Sequence, residues 1–181
     1  MRVISGTARG LKLTSLSGDA TRPTLDNVKE AVFSMLFDRV VDAKVLDLFA
    51  GSGALGIEAI SRGAASCIFA DKSADALKVV RDNLSKARMQ MRAEVLGCDF
   101  RDALGRLANE GNKFDIIFLD PPYADGFLNE ALHQIAALSL LEPGGVVVAE
   151  YDFGTMIDIQ NYNLLKDKRY GRVCINILEA Q

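Results

Sequence analysis

The chain has 181 residues, 49% of them apolar and 25% charged, with a net charge of −3. That composition fits one soluble domain with a full-sized core, and no apolar run approaches the roughly 20 residues that a membrane span needs. A single histidine, His133, and three scattered cysteines, Cys67, Cys98 and Cys174, argue against a metal cage, a Ser-His-Asp triad or a disulfide framework.

The opening residues Met1 to Gly6 lack a signal-peptide apolar core, so a cytoplasmic protein is expected, with the cysteines as small buried hydrophobes. Val3-Ile4-Ser5 and Leu11-Lys12-Leu13, joined by Gly6-Thr7-Ala8-Arg9-Gly10, predict a small hairpin with a basic tip. Thr24 is expected to cap a helix in which Val28, Ala31, Val32, Met35 and Leu36 recur at helical spacing and Asp26 lies in the first turn. Between Met1 and Thr24, Arg2, Arg9, Lys12 and Arg22 face the single acid Asp19. Such a patch suits phosphate contacts or ordinary solvated surface.

From Lys44 onward strand and helix patterns alternate, which predicts a doubly wound, mostly parallel α/β sheet. The strand Ala43-Lys44-Val45-Leu46 runs into Asp47-Leu48-Phe49-Ala50-Gly51-Ser52-Gly53-Ala54-Leu55-Gly56, which opens a helix at Ile57. Strand, glycine turn and helix make a nucleotide cradle, and residues 51–56 match the dinucleotide fingerprint. Asp47, four residues ahead of the first glycine, separates the readings. An acid there repels a pyrophosphate but suits a sulfonium or an ammonium group, favouring S-adenosylmethionine over NAD. Two further strands are expected to end in acids: Cys67 to Asp71, suited to ribose hydroxyls, and Ala93 to Phe100, whose Asp99 suits an adenine amino group.

The run Phe114-Asp115-Ile116-Ile117-Phe118-Leu119 reads as a buried strand, halted by Asp120-Pro121-Pro122-Tyr123 because prolines forbid further ladder pairing. A carboxylate, a fixed carbonyl and a flat ring at a strand's carboxyl end suit a planar group bearing an exocyclic amine, such as a nucleobase. A helix is expected over residues 127–140, with His133 packed in it, then a turn at Glu142-Pro143-Gly144-Gly145 and a strand from Val146 to Glu150. Asn163 to Lys168 and Arg172 to Leu178 predict an antiparallel hairpin at the sheet edge. That segment adds the cations Lys166, Lys168, Arg169 and Arg172.

These motifs resemble class I S-adenosylmethionine-dependent methyltransferases and, more narrowly, the RsmD family. The residues that carry the resemblance are Val3 to Gly6 with Arg9-Gly10 and Lys12-Leu13, Arg22-Pro23-Thr24, Val28, Glu30 and Phe33, Leu46 to Ala59, Ser61 to Ala64 and Asp120 to Tyr123. Leu11, Asn27 and Lys29 stand where the family often has arginine. The resemblance implies methylation of the exocyclic N2 of a guanine in 16S ribosomal RNA, naked or in an assembling small subunit, without a metal. It implies cofactor binding by Asp47, Phe49, Ala50, Gly51, Ser52, Gly53, Asp71, Lys72, Asp99 and Phe100, and catalysis at Asp120, Pro121, Pro122 and Tyr123. RNA contact is expected from Arg9, Lys12, Arg22 and Thr24, within an N-terminal hairpin and helix over residues 1–40 that precede a catalytic core at 41–181. An adenine-N6 or other amino methyltransferase, an NAD reductase and a non-catalytic RNA-binding assembly factor remain as alternatives.

Overall fold

In the computed structural model, which describes residues 1–16, 24–122 and 126–181, strands and helices alternate from residue 44. The helix α1 (Thr24–Leu36) leads to β1 (Lys44–Asp47), α2 (Ala54–Ser61), β2 (Ser66–Asp71), α3 (Ala74–Ala87) and β3 (Ala93–Gly97). There follow α4 (Phe100–Asn109), β4 (Phe114–Leu119), α5 (Phe127–Ala137), β5 (Leu141–Asp152), β6 (Tyr162–Tyr170) and β7 (Val173–Ala180). The seven strands form one sheet in the order β3-β2-β1-β4-β5-β7-β6. Strands β1 to β5 are parallel, whereas β7 runs antiparallel to β5 and to β6. This is the doubly wound sheet with a C-terminal hairpin that the alternation predicts.

Parallel strands covered by helices on both faces must be apolar on both. The two-residue period sends Val45, Ile116, Phe118, Val146 and Val148 into the layer beneath α1, α2 and α3. Leu46, Ile117, Leu119, Val147 and Ala149 enter the opposite layer, beneath α4 and α5. Each large side chain so buried contributes about 1.5–3 kcal/mol. After β1 the chain builds β2 and β3 on one side, then crosses to place β4 on the other. The order therefore reverses between β1 and β4, and the crevice outside their carboxyl ends is where such sheets bind ligands. Among the described residues no helix is long and apolar enough to cross a membrane.

The N-terminal hairpin is short, with a single antiparallel bridge between Arg2 and Lys12. Its backbone is spent elsewhere, because the buried Glu58 of α2 accepts hydrogen bonds from the N–H groups of Ile4 at 2.8 Å and Ser5 at 3.0 Å. Gly6, at φ +82°, lies so close to α2 that an added Cβ would fall 1.8 Å from the Ser61 carbonyl oxygen. Glycine is required there.

Four local expectations need correction. Cys67 and Cys174 are buried, but Cys98 just beyond β3 is only half-buried. β3 ends at Gly97, and Asp99 lies beyond it as the N-cap of α4, accepting from the Arg101 N–H at 3.1 Å. The Glu142-Pro143-Gly144-Gly145 segment does not interrupt the chain before β5 but lies within it. Leu141 pairs with Phe114 and Val146 with Ile116, so β5 spends five steps where β4 spends two, a bulge made possible by Gly144 at φ +78°. His133 does not pack in a helix interface; its Nε2 lies exposed, 3.0 Å from Asp158 Oδ2.

Candidate active site

A cleft of about 630 Å³ opens at the carboxyl ends of β1, β2 and β4. Asp47, Phe49, Ala50, Gly51, Ser52, Asp71, Lys72, Asp99, Phe100, Asp120, Pro121 and Pro122 all line it. Twelve residues from separate motifs thus converge on one cavity. Gly53 stands just behind its wall as the N-cap of α2, at φ +78°. Arg9 and Lys12 lie exposed and away from the cleft lining, with no ion pair among the described residues. Thr24 is the first residue of α1, while Arg22 and Tyr123 fall outside the described residues.

The glycines have separable tasks. Gly51, at φ +54°, faces open space, with no atom nearer than 4.0 Å to an added Cβ, so backbone and ligand can approach closely. An added Cβ on Gly56 would fall 2.3 Å from the Phe69 ring and 2.6 Å from Cys67 Sγ. That glycine lets α2 settle onto β2, and this close packing brings its N–H to the end of β1.

There the Gly56 N–H donates to Asp47 Oδ2 at 3.0 Å. In a dinucleotide fold a helix N-terminus of this kind receives a pyrophosphate. Here the chain's own carboxylate takes the first turn. Asp47 is 3% exposed. Burial pushes its pKa up to about 7, and the neighbouring Asp120 and Asp71 charges push the same way, against the Gly56 hydrogen bond. A buried acid among acids is completed by a cation. S-adenosylmethionine, carrying a sulfonium and an ammonium, fits that set of carboxylates, and NAD does not.

Asp71 ties the end of β2 to the glycine turn: its Oδ2 accepts from the Gly51 N–H at 2.9 Å and its Oδ1 from Ser73 at 2.8 Å. Each carboxylate oxygen can accept a second bond, which leaves capacity for a diol. Phe49, Phe100 and Phe127 form a row of tilted rings with centroids 5.2 and 5.4 Å apart. The Arg101 guanidinium lies 4.4 Å above Phe100, and the Lys72 ammonium 5.4 Å from Phe127. An apolar, flat-walled end of this kind suits a purine ring.

The cleft is also lined by residues outside the expected site, among them Val28, Lys29, Phe127 and Glu150. Glu150 is buried at the end of β5 and repeats the acid-after-strand pattern already visible at Asp47 and Asp120, so its signal was present. Phe127 opens α5, and nothing in its neighbours marks it as part of an aromatic row. Lys29 is a buried cation 3.1 Å from Glu58.

The family model described as "Conserved hypothetical protein 95" matches residues 1–179. "Ribosomal RNA small subunit methyltransferase D" of Haemophilus influenzae is 33% identical over 181 residues, spanning 99% of this chain and 93% of that one. The protein of the same name from Escherichia coli is 33% identical over 183 residues, spanning 100% and 90%. The solved structure of yhhF from Escherichia coli superposes with a TM-score of 0.85 at 33% identity, covering 100% of this chain and 99% of that one. Likeness from end to end, on a chain whose glycine turn and Asp-Pro-Pro segment share one cleft, bears out the resemblance: the chain belongs to the RsmD family of class I S-adenosylmethionine-dependent methyltransferases.

Proposed function

We propose that this chain moves a methyl group from S-adenosylmethionine to the exocyclic N2 of a guanine in small-subunit ribosomal RNA, acting in the cytoplasm. The observation that carries the reading is the Asp47 carboxylate on the α2 N-terminus, a site built for a cation, in the same cleft as Asp120 and Pro121. When bound, the cofactor supplies an electrophilic methyl on a sulfonium. Asp47 balances its positive charge, Asp71 takes the ribose hydroxyls, and Asp99 with the Phe49–Phe100–Phe127 row takes the adenine.

The amine of guanine is a weak nucleophile because its lone pair is delocalised into the ring. In the proposed reaction the Asp120 carboxylate and the Pro121 carbonyl accept hydrogen bonds from that NH2, which favours a pyramidal nitrogen with a localised lone pair. Tyr123 stacks on the base, a contact worth about 1–3 kcal/mol. The base must leave its stack to reach the cleft. With the cofactor bound, the amine would take the methyl that the sulfonium supplies and shed a proton, which the Asp120 carboxylate would receive. Much of the acceleration is positional, since both reactants are held in line. Residues 1–40, with Arg9, Lys12, Arg22 and Thr24, serve RNA contact, and residues 41–181 form the catalytic core.

The test is transfer of labelled methyl from S-adenosylmethionine to small-subunit RNA from cells lacking the protein, followed by nuclease digestion and mass spectrometry. N2-methylguanosine is the expected product. N6-methyladenosine, or label confined to protein, would overturn the reading.

A further inference from the structure

A second groove of about 620 Å³ lies between the outer side of α1 and the edge strand β6. One wall is the helical stripe Asn27, Glu30, Ala31 and Ser34; the other is Lys166, Lys168 and Tyr170. The register explains the second wall. Lys166, Lys168 and Tyr170 pair with Ile177, Ile175 and Val173 of β7, whose side chains enter the core beneath α1. Paired residues share a face of the sheet, so both lysines project beside α1, about 6.8 Å apart along the strand.

Three features give this groove a direction and a partner. First, α1 is a wall it shares with the catalytic cleft, since Val28 and Lys29 line the cleft while Asn27 and Glu30 line the groove. Second, Lys168 stands level with the active site. It pairs with Ile175, which pairs with Glu150 of the cleft wall, so two strand spacings, about 10 Å, separate the Lys168 and Glu150 backbones. Third, on a chain of net charge −3, neither Lys166 nor Lys168 has a carboxylate partner among the described residues. Lys166 instead donates to the Met35 carbonyl at 2.7 Å. Lysine on an edge strand also blunts unwanted strand pairing, but that role does not require both lysines on the α1 side.

We propose that the α1–β6 groove is an RNA-backbone track: Lys166 and Lys168 bind phosphates of the same RNA whose base enters the cleft. The inference rests on the RNA reading above and adds a surface to it, distinct from the N-terminal Arg9 and Lys12.

The experiment compares wild type, Lys168→Glu, the double variant Lys166→Glu/Lys168→Glu, and Lys78→Glu on α3 at the far edge of the sheet. Protein-free 16S RNA and whole small subunits serve as probes. Both groove variants should raise the KM about fivefold or more for whichever probe the wild type methylates, and flatten the salt dependence of binding to free RNA, by up to ~0.9 in log–log slope for each phosphate that is no longer neutralised. The kcat, the cofactor affinity and the behaviour of Lys78→Glu should stay at wild-type values. Glu30→Lys should do the opposite and tighten RNA binding. If the double variant melts early because Lys166 no longer reaches Met35, Lys168→Glu alone decides. Unchanged KM and salt slope in a folded Lys168→Glu protein would overturn the proposal. So would an effect seen with whole subunits but not with free RNA, which would assign the groove to a ribosomal protein. A wild-type protein that binds RNA yet methylates none would sink the functional reading while leaving the groove testable by salt slope.

Discussion

Lys29 of α1 and Glu58 of α2 meet at 3.1 Å with both side chains buried, Glu58 completely. The Lys29 ammonium also donates to the Arg2 carbonyl at 2.5 Å, and Glu58 takes the N–H groups of Ile4 and Ser5 and the Arg62 Nε at 2.7 Å. Burial lowers the Lys29 pKa and Glu58 opposes that shift. The two residues fasten the N-terminal segment and α1 to the helix that begins at the cofactor turn. Removing one partner of a buried pair leaves the other charge uncompensated, at a cost of about 3–5 kcal/mol. Glu58→Ala should lose that much stability in urea denaturation. A loss below about 1 kcal/mol would show that the network carries little of the N-terminal docking.

The raised pKa of Asp47 makes cofactor affinity depend on pH. A cation favours the ionised carboxylate, so binding by calorimetry should strengthen as pH rises through about 7, with proton release below that pH. Asp47→Asn should bind more weakly and lose this dependence. The linkage for folding has the opposite sign. An acid whose folded pKa exceeds its unfolded value stabilises below the unfolded value, and that contribution is lost as pH climbs towards about 7. The stability of Asp47→Asn relative to wild type, both without cofactor, should therefore increase across that window. A flat difference would mean that Asp47 titrates as an ordinary surface acid.

Asp120 should act on the base and not on the cofactor. Asp120→Ala is expected to reduce methyl transfer by at least about a hundredfold while leaving S-adenosylmethionine affinity within twofold of wild type. A parallel fall in cofactor affinity would move Asp120 from the amine to the sulfonium side of the cleft.

Arg9 and Lys12 lie exposed on the docked N-terminal hairpin. Replacing both with Ala should weaken RNA binding and flatten its salt slope by up to ~0.9 for each duplex phosphate left unneutralised, or ~0.7 for single strands. Melting temperature and cofactor affinity should hardly move. An unaltered slope in the folded double variant would make these cations plain surface charge.

Local signals in the sequence were enough for the alternating α/β order, the acid-then-glycine turn and the Asp120-Pro121-Pro122 strand end. Each depends on short-range physics: a two-residue strand period, glycine's positive φ and proline's missing donor. Longer-range relationships were out of reach. The capping role of Asp99 follows from β3 ending at Gly97, and the β5 bulge from its pairing with β4, and strand ends and pairing are set by neighbouring strands. Glu58 reads as one more polar residue in a helix until the N-terminal segment is seen to lie across it. Likewise, Lys166 and Lys168 are two charges on a hairpin until β7 places them beside α1, on a level with Glu150. Local pattern is enough to show which chemical groups stand at the strand ends. Which of them share a cleft, and which buried charges compensate one another, follows from strand order and register, which bring together residues far apart in the chain.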